Sequence, residues 1–79
     1  VNSEHLAKEA DRLKSDPIFS KALDDIRAEA LDGLALANAD DKTMILRLQQ
    51  KVAVVDEIRT MLDRYIIAQD VQDHAGSFV

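Results

Sequence analysis

The sequence predicts an all-α protein, an antiparallel hairpin of two long helices preceded by a short N-terminal helix. Three observations carry that expectation. Apolar residues recur at spacings of three and four over two long stretches. A single proline, Pro17, stands directly after Asp16 and divides a short first segment from the rest. Between the two long stretches lies a short polar turn, Asn38-Ala39-Asp40-Asp41. So brief a connection places the two long helices side by side.

The first helix is expected over about 4–14. Ser3 can cap it, and Glu4 occupies the first turn, where the helix dipole favours an anion. Leu6, Ala10 and Leu13 give it a narrow apolar stripe. Asp16 then offers an acceptor for free N–H groups, and Pro17 occupies the first helical position, where its missing N–H is not needed. The second helix runs from there to about Ala37. Its stripe is Phe19, Ala22, Leu23, Ile26, Ala30, Leu34 and Ala37. Lys21–Asp25 and Asp24–Arg27 are spaced to pair along the exposed side. Gly33 falls on the stripe, at a cost of roughly 0.5–1 kcal/mol against alanine. Its two readings are close approach of another helix and weakening towards the helix end.

Asn38 tolerates a left-handed helix terminus, and Asp40 or Asp41 can cap the third helix. That helix is expected over 41–69, on the order of 40 Å long. Ile45, Leu48, Val52, Val55, Ile58, Leu62 and Ile66 form its main stripe. Leu46, Val54 and Met61, with Ala53 and Tyr65 nearby, add apolar surface on a neighbouring side. One hairpin cannot bury both sides; the first helix can fold back over part of the surplus, but its three apolar residues are too few for all of it. Surplus apolar surface of this kind marks a protein interface. Residues 70–79 lack a sustained period and read as a flexible C-terminal tail on a single helical domain of residues 1–69. The tail ends in Phe78 and Val79, an aromatic and an aliphatic residue beside a carboxylate, which can anchor in a pocket or along a sheet edge. The candidate partner interface is therefore Leu46, Val54, Met61, Tyr65, Phe78 and Val79.

Composition narrows the function classes. The chain has 79 residues, a formal charge of −5 and no cysteine. A core this small usually needs support, and without cysteine neither a disulfide nor a thiolate metal site can supply it. His5 and His74 are far apart in sequence, and neither has a second imidazole at ligand spacing. No cofactor or metal is expected. The acidic balance disfavours nucleic acid. No apolar run approaches the length needed to span a bilayer, and no secretory signal is evident, so synthesis in the cytoplasm is expected. Val1 reads either as a GTG start codon written literally or as a trimmed beginning.

Catalysis is not expected. Phosphate loops, nucleophile elbows and Ser-His-Asp sets are all missing. The carboxylates come as neighbours, Asp24/Asp25, Asp40/Asp41 and Asp56/Glu57, so each pair diverges on a helix or lies in a turn. That suits a solvated surface rather than general acid–base work in a pocket. DNA recognition by the helix after Pro17 is disfavoured by its exposed Asp24, Asp25, Glu29 and Asp32.

The series Leu6 to Leu13, Asp16-Pro17-Ile18-Phe19, Leu23, Ile26, Asp40-Asp41, Leu48, Val55, Ile58 and Leu62 resembles small helical proteins encoded among the head and portal genes of tailed bacteriophages. The likeness covers most of the chain before the tail. It implies a non-enzymatic structural or assembly part of a virion, associated with a capsid or portal and present in many copies or as a homo-oligomer. The alternative is a regulatory adaptor or inhibitor that binds one host or phage protein through the same helical face.

Overall fold

The structure is a computed structural model that describes residues 2–77, with side chains described for 2–69. Among the described residues it is all-helical: α1 (Ser3–Ser15), α2 (Pro17–Leu36) and α3 (Lys42–Ser77). The chain is elongated, 59 × 24 × 18 Å with a radius of gyration of 17.3 Å. A compact chain of this length would have a radius near 12 Å. The 36 residues of α3 account for the long dimension, at about 54 Å.

Local chemistry sets the boundaries. Asn2, rather than Ser3, caps α1: its side-chain oxygen accepts from the His5 N–H at 2.8 Å. Ser3 is already helical, one residue ahead of the expected start. The joint between α1 and α2 is the single residue Asp16, with φ −73° and ψ 118°. Its carboxylate accepts from the N–H groups of Ile18 at 2.8 Å and Phe19 at 3.0 Å, and Pro17 opens the helix as expected.

The α2–α3 turn departs from expectation. No described residue has a positive φ, so Asn38 is not in the left-handed region. It shapes the turn through its side chain instead, accepting from the Asp40 N–H at 3.0 Å, an arrangement that asparagine favours. Of the two candidate caps, Asp41 is used. Its carboxylate accepts from the Met44 N–H at 3.1 Å, and α3 begins at Lys42.

Side-chain pairs map α2 onto α3. Arg59 reaches the Ser20 carbonyl at 3.3 Å and also the Asp24 carboxylate; Arg27 meets Asp56 at 3.0 Å; Gly33 faces Leu48. Partners thus advance along α2 as they recede along α3. These pairs replace the expected Asp24–Arg27 contact within α2, because each residue finds an opposite charge on the facing helix. Lys21–Asp25 does form within α2, at 2.9 Å.

The register continues into α1. Lys14 meets Asp63 at 2.7 Å, close to the start of α2, and α1 packs on α3 while touching α2 little. Counting back from Lys14, α1 extends roughly 16 Å, enough to accompany most of α3 past Asp63. Here the structure corrects the expected end at Gln69: α3 stays helical to Ser77. The segment Asp70-Val71-Gln72-Asp73-His74-Ala75 has no apolar period, but it contains no breaker before Gly76, so nothing in the local sequence stops the helix. Phe78 and Val79 lie outside the described residues, so the anchor expected there does too.

The core is a thin line rather than a block. Among the described residues its buried members are Ala7, Ala10, Leu23, Ala30 and Val55. In α1 Ala10 of the expected stripe is buried and Leu13 half-buried, but Leu6 is exposed and Ala7, outside that stripe, is buried. Small residues let α1 lie close to α3, and close approach recovers dispersion contact that a longer side chain would hold apart. Gly33 is resolved the same way. A Cβ there would stand 3.0 Å from one Leu48 methyl and 3.3 Å from the other, so the close-approach reading applies. Gly33→Ala should be neutral or stabilising by up to ~1 kcal/mol, since helix propensity improves and the half-exposed Leu48 tip can turn aside. Gly33→Leu should instead cost about 1–3 kcal/mol by overpacking. Urea midpoints check both, and a Gly33→Leu variant as stable as the parent would refute the close approach.

Candidate interaction groove

Two helices touch along a line, so residues well to the side of that line stay uncovered even when they belong to the apolar arc. Ile26 on α2 and Ile58 on α3 both belong to the expected core stripes, yet they remain 45% and 37% exposed. Between them runs an open groove of about 530 Å³. Leu23 and Val55 contribute from the buried line, while Ile26, Val54 and Ile58 form its apolar walls. Arg47, Gln50 and Lys51 make the polar rim on the α3 side.

The structure separates the residues expected to form one interface. Val54, 51% exposed, lines the groove. Leu46 is equally open at 55% but does not line it. Eight residues of helix place it about 80° around from Val54, so spacing along α3 does not put the two on one face. Met61 and Tyr65 are half-buried, and Met61 accepts from the Arg64 guanidinium at 3.6 Å. Conversely, sequence reasoning assigned Ile26 and Ile58 wholly to the core. It also passed over the Arg47/Lys51 rim, whose only sequence signal is two cations one turn apart beside an apolar stripe.

A second, smaller cavity of about 240 Å³ lies at the joint of α1 and α2. It offers little chemistry, because its two cations are already engaged. Lys14 holds Asp63 and Arg59 holds Asp24. The hydrogen bond and charge of Asp63 raise the Lys14 pKa above its ordinary value, and Asp25 does the same for Lys21. Arg12, at 2.8 Å, holds the Glu9 carboxyl below the usual range. All three groups are on the surface, where such pairs contribute little to stability.

Among the described residues, no group of three or more His, Asp or Glu is gathered to hold a metal ion, and no helix is long and apolar enough to cross a membrane. No family model matches the chain, and neither a curated protein nor a solved structure matches it.

Proposed function

We propose that the chain is a non-enzymatic interaction part, with α2 and α3 as an antiparallel hairpin whose apolar groove seats a helix of a protein partner. The observation that carries this reading is the groove itself: Ile26, Val54 and Ile58 exposed together beside a core that, among the described residues, is five small or medium side chains. A chain with so little buried apolar surface gains much by covering those three. The order of the side-chain pairs across α2 and α3 supports the antiparallel hairpin. The resemblance to helical proteins of phage head and portal clusters supplies the setting: a virion assembly component, made in the host cytoplasm and present in many copies. In that setting weak contacts gain by repetition.

Because the chain has no cysteine, Val54→Cys places a single thiol in the groove, and Glu57→Cys places one on an exposed site of α3 for reference. In cells that naturally produce the protein, maleimide should label position 54 several-fold more slowly than position 57, and the difference should vanish on denaturation. Equal labelling of the two thiols in those cells would reject the groove as an occupied interface.

A further inference from the structure

We propose that the helix pair seated on this groove is that of a second copy of the chain, turned about a two-fold axis along the groove so that α2 of one copy lies over α3 of the other. The inference rests on the reading of the groove as an interface and names its occupant.

Charge is the first support. Among the described residues, six of the ten lysines and arginines engage carboxylates: Lys8, Arg12, Lys14, Lys21, Arg27 and Arg59. Arg47 and Lys51, one turn apart on the α3 rim, have no ion partner among the described residues. Glu29 also has none. It stands three residues after Ile26, hence on the same side of α2. Its height along the groove is set by its neighbours. Arg27 meets Asp56 and Gly33 faces Leu48, which puts Glu29 within about a turn of Lys51. Within one chain the width of the groove separates the two.

A face-to-face pair with its axis along the groove closes that gap. It lays the α3 rim of each copy on the α2 rim of the other, so Lys51 meets Glu29 of the second copy twice by symmetry. An axis across the helices would instead stack α3 on α3 and α2 on α2, which leaves Lys51 and Glu29 on separate rims and the Arg47/Lys51 cations without a carboxylate from α2. Opposite charge therefore selects one of the two face-to-face arrangements.

Area is the second support. The 20 residues of α2 span about 30 Å, and a two-helix layer is about 20 Å wide. The face is then roughly 600 Å² per copy, or about 1,200 Å² in total, at the lower bound for a specific interface. Ile26, Val54 and Ile58 form its apolar centre and the unpaired charges its rim, the usual anatomy of such contacts.

Sedimentation equilibrium of the full chain tests the proposal. The parent should sediment as a dimer that dissociates on dilution. Lys51→Glu and Glu29→Lys, both at exposed positions and so compatible with an unchanged helical spectrum, should each weaken it by about tenfold. The double variant Lys51→Glu/Glu29→Lys should recover most of the loss. A parent that stays monomeric at every concentration would overturn the proposal, as would a double variant no tighter than the single ones. The labelling experiment separates this failure from that of the underlying reading. A monomer whose Val54→Cys thiol is protected in producing cells loses the second copy and keeps the interface. A monomer with a free thiol loses both.

Discussion

Val55→Asp is expected to leave the chain unfolded at 25 °C, whereas Val54→Asp, one residue earlier, should keep a parent-like helical spectrum and lose only association. Val55 is 2% exposed and Val54 51%, although both are valines on one turn of α3. At Val55 the substitution removes the burial of a branched side chain, worth about 1.5–3 kcal/mol, and puts an unpaired carboxylate among Leu23 and its neighbours. The burial of that charge costs several kcal/mol more. A chain of 79 residues typically has ~4–12 kcal/mol in total, and this core is thin, so the two losses together exceed what it can lose. At Val54 the carboxylate remains in water and merely spoils the groove. Far-UV circular dichroism and a thermal melt distinguish the two variants. A cooperative melt of Val55→Asp within a few degrees of the parent would show that Val55 is not the centre of the fold.

Ala10→Glu should detach α1 while α2 and the facing part of α3 persist. Ala10 is 3% exposed, and its methyl group is what allows α1 to lie flat on α3. A longer charged side chain must either be buried, at a cost of several kcal/mol, or lift the helix away from α3, and α2 gives α1 little second support to hold it in place. Once lifted, α1 has only 13 residues, near the length at which an isolated helix is marginal in water. The exposed Lys14–Asp63 pair is worth at most about 1 kcal/mol and cannot hold it. Amide exchange should become fast across 3–15, and α3 beyond Asp63 should lose protection with it. Protection should persist across 17–36 and 45–60. If α1 stays protected in this variant, the alanine contact is not what docks it.

Much of the secondary structure was legible because it depends on neighbours in the chain. Asp16 before Pro17 reads as a helix start in any context, since the side-chain acceptor and the fixed φ act within one turn. The Asn38 to Asp41 turn reads as a turn for the same reason, although which aspartate caps and how Asn38 contributes depended on local geometry that composition does not carry. The stripes through Leu23 and Val55 were legible as periodicity, and their central members are buried.

What the pattern could not supply was the width of the contact. A stripe defines an arc of apolar residues, but one neighbouring helix covers only the middle of that arc, so Ile26 and Ile58 became groove walls rather than core. Nor could it rank Ala7 above Leu6 in α1, because the choice depends on how near α3 lies, which is a property of two helices at once. The end of α3 differs for another reason: loss of apolar period does not by itself stop a helix, and the sequence has no breaker before Gly76.

By itself, then, the sequence determined an all-helical chain, the start of α2 at Asp16-Pro17, its polar turn and its surplus of apolar surface. All of these arise from interactions within a few residues or from composition. Only the tertiary structure decided that α1 continues along α3 past the end of α2, that Asp24 and Arg27 bond across to Arg59 and Asp56, and that Val54 opens into a groove while Leu46 does not. Those outcomes depend on distances of a few ångströms between elements far apart in sequence, and helical spacing along one element contains no term for the position of another.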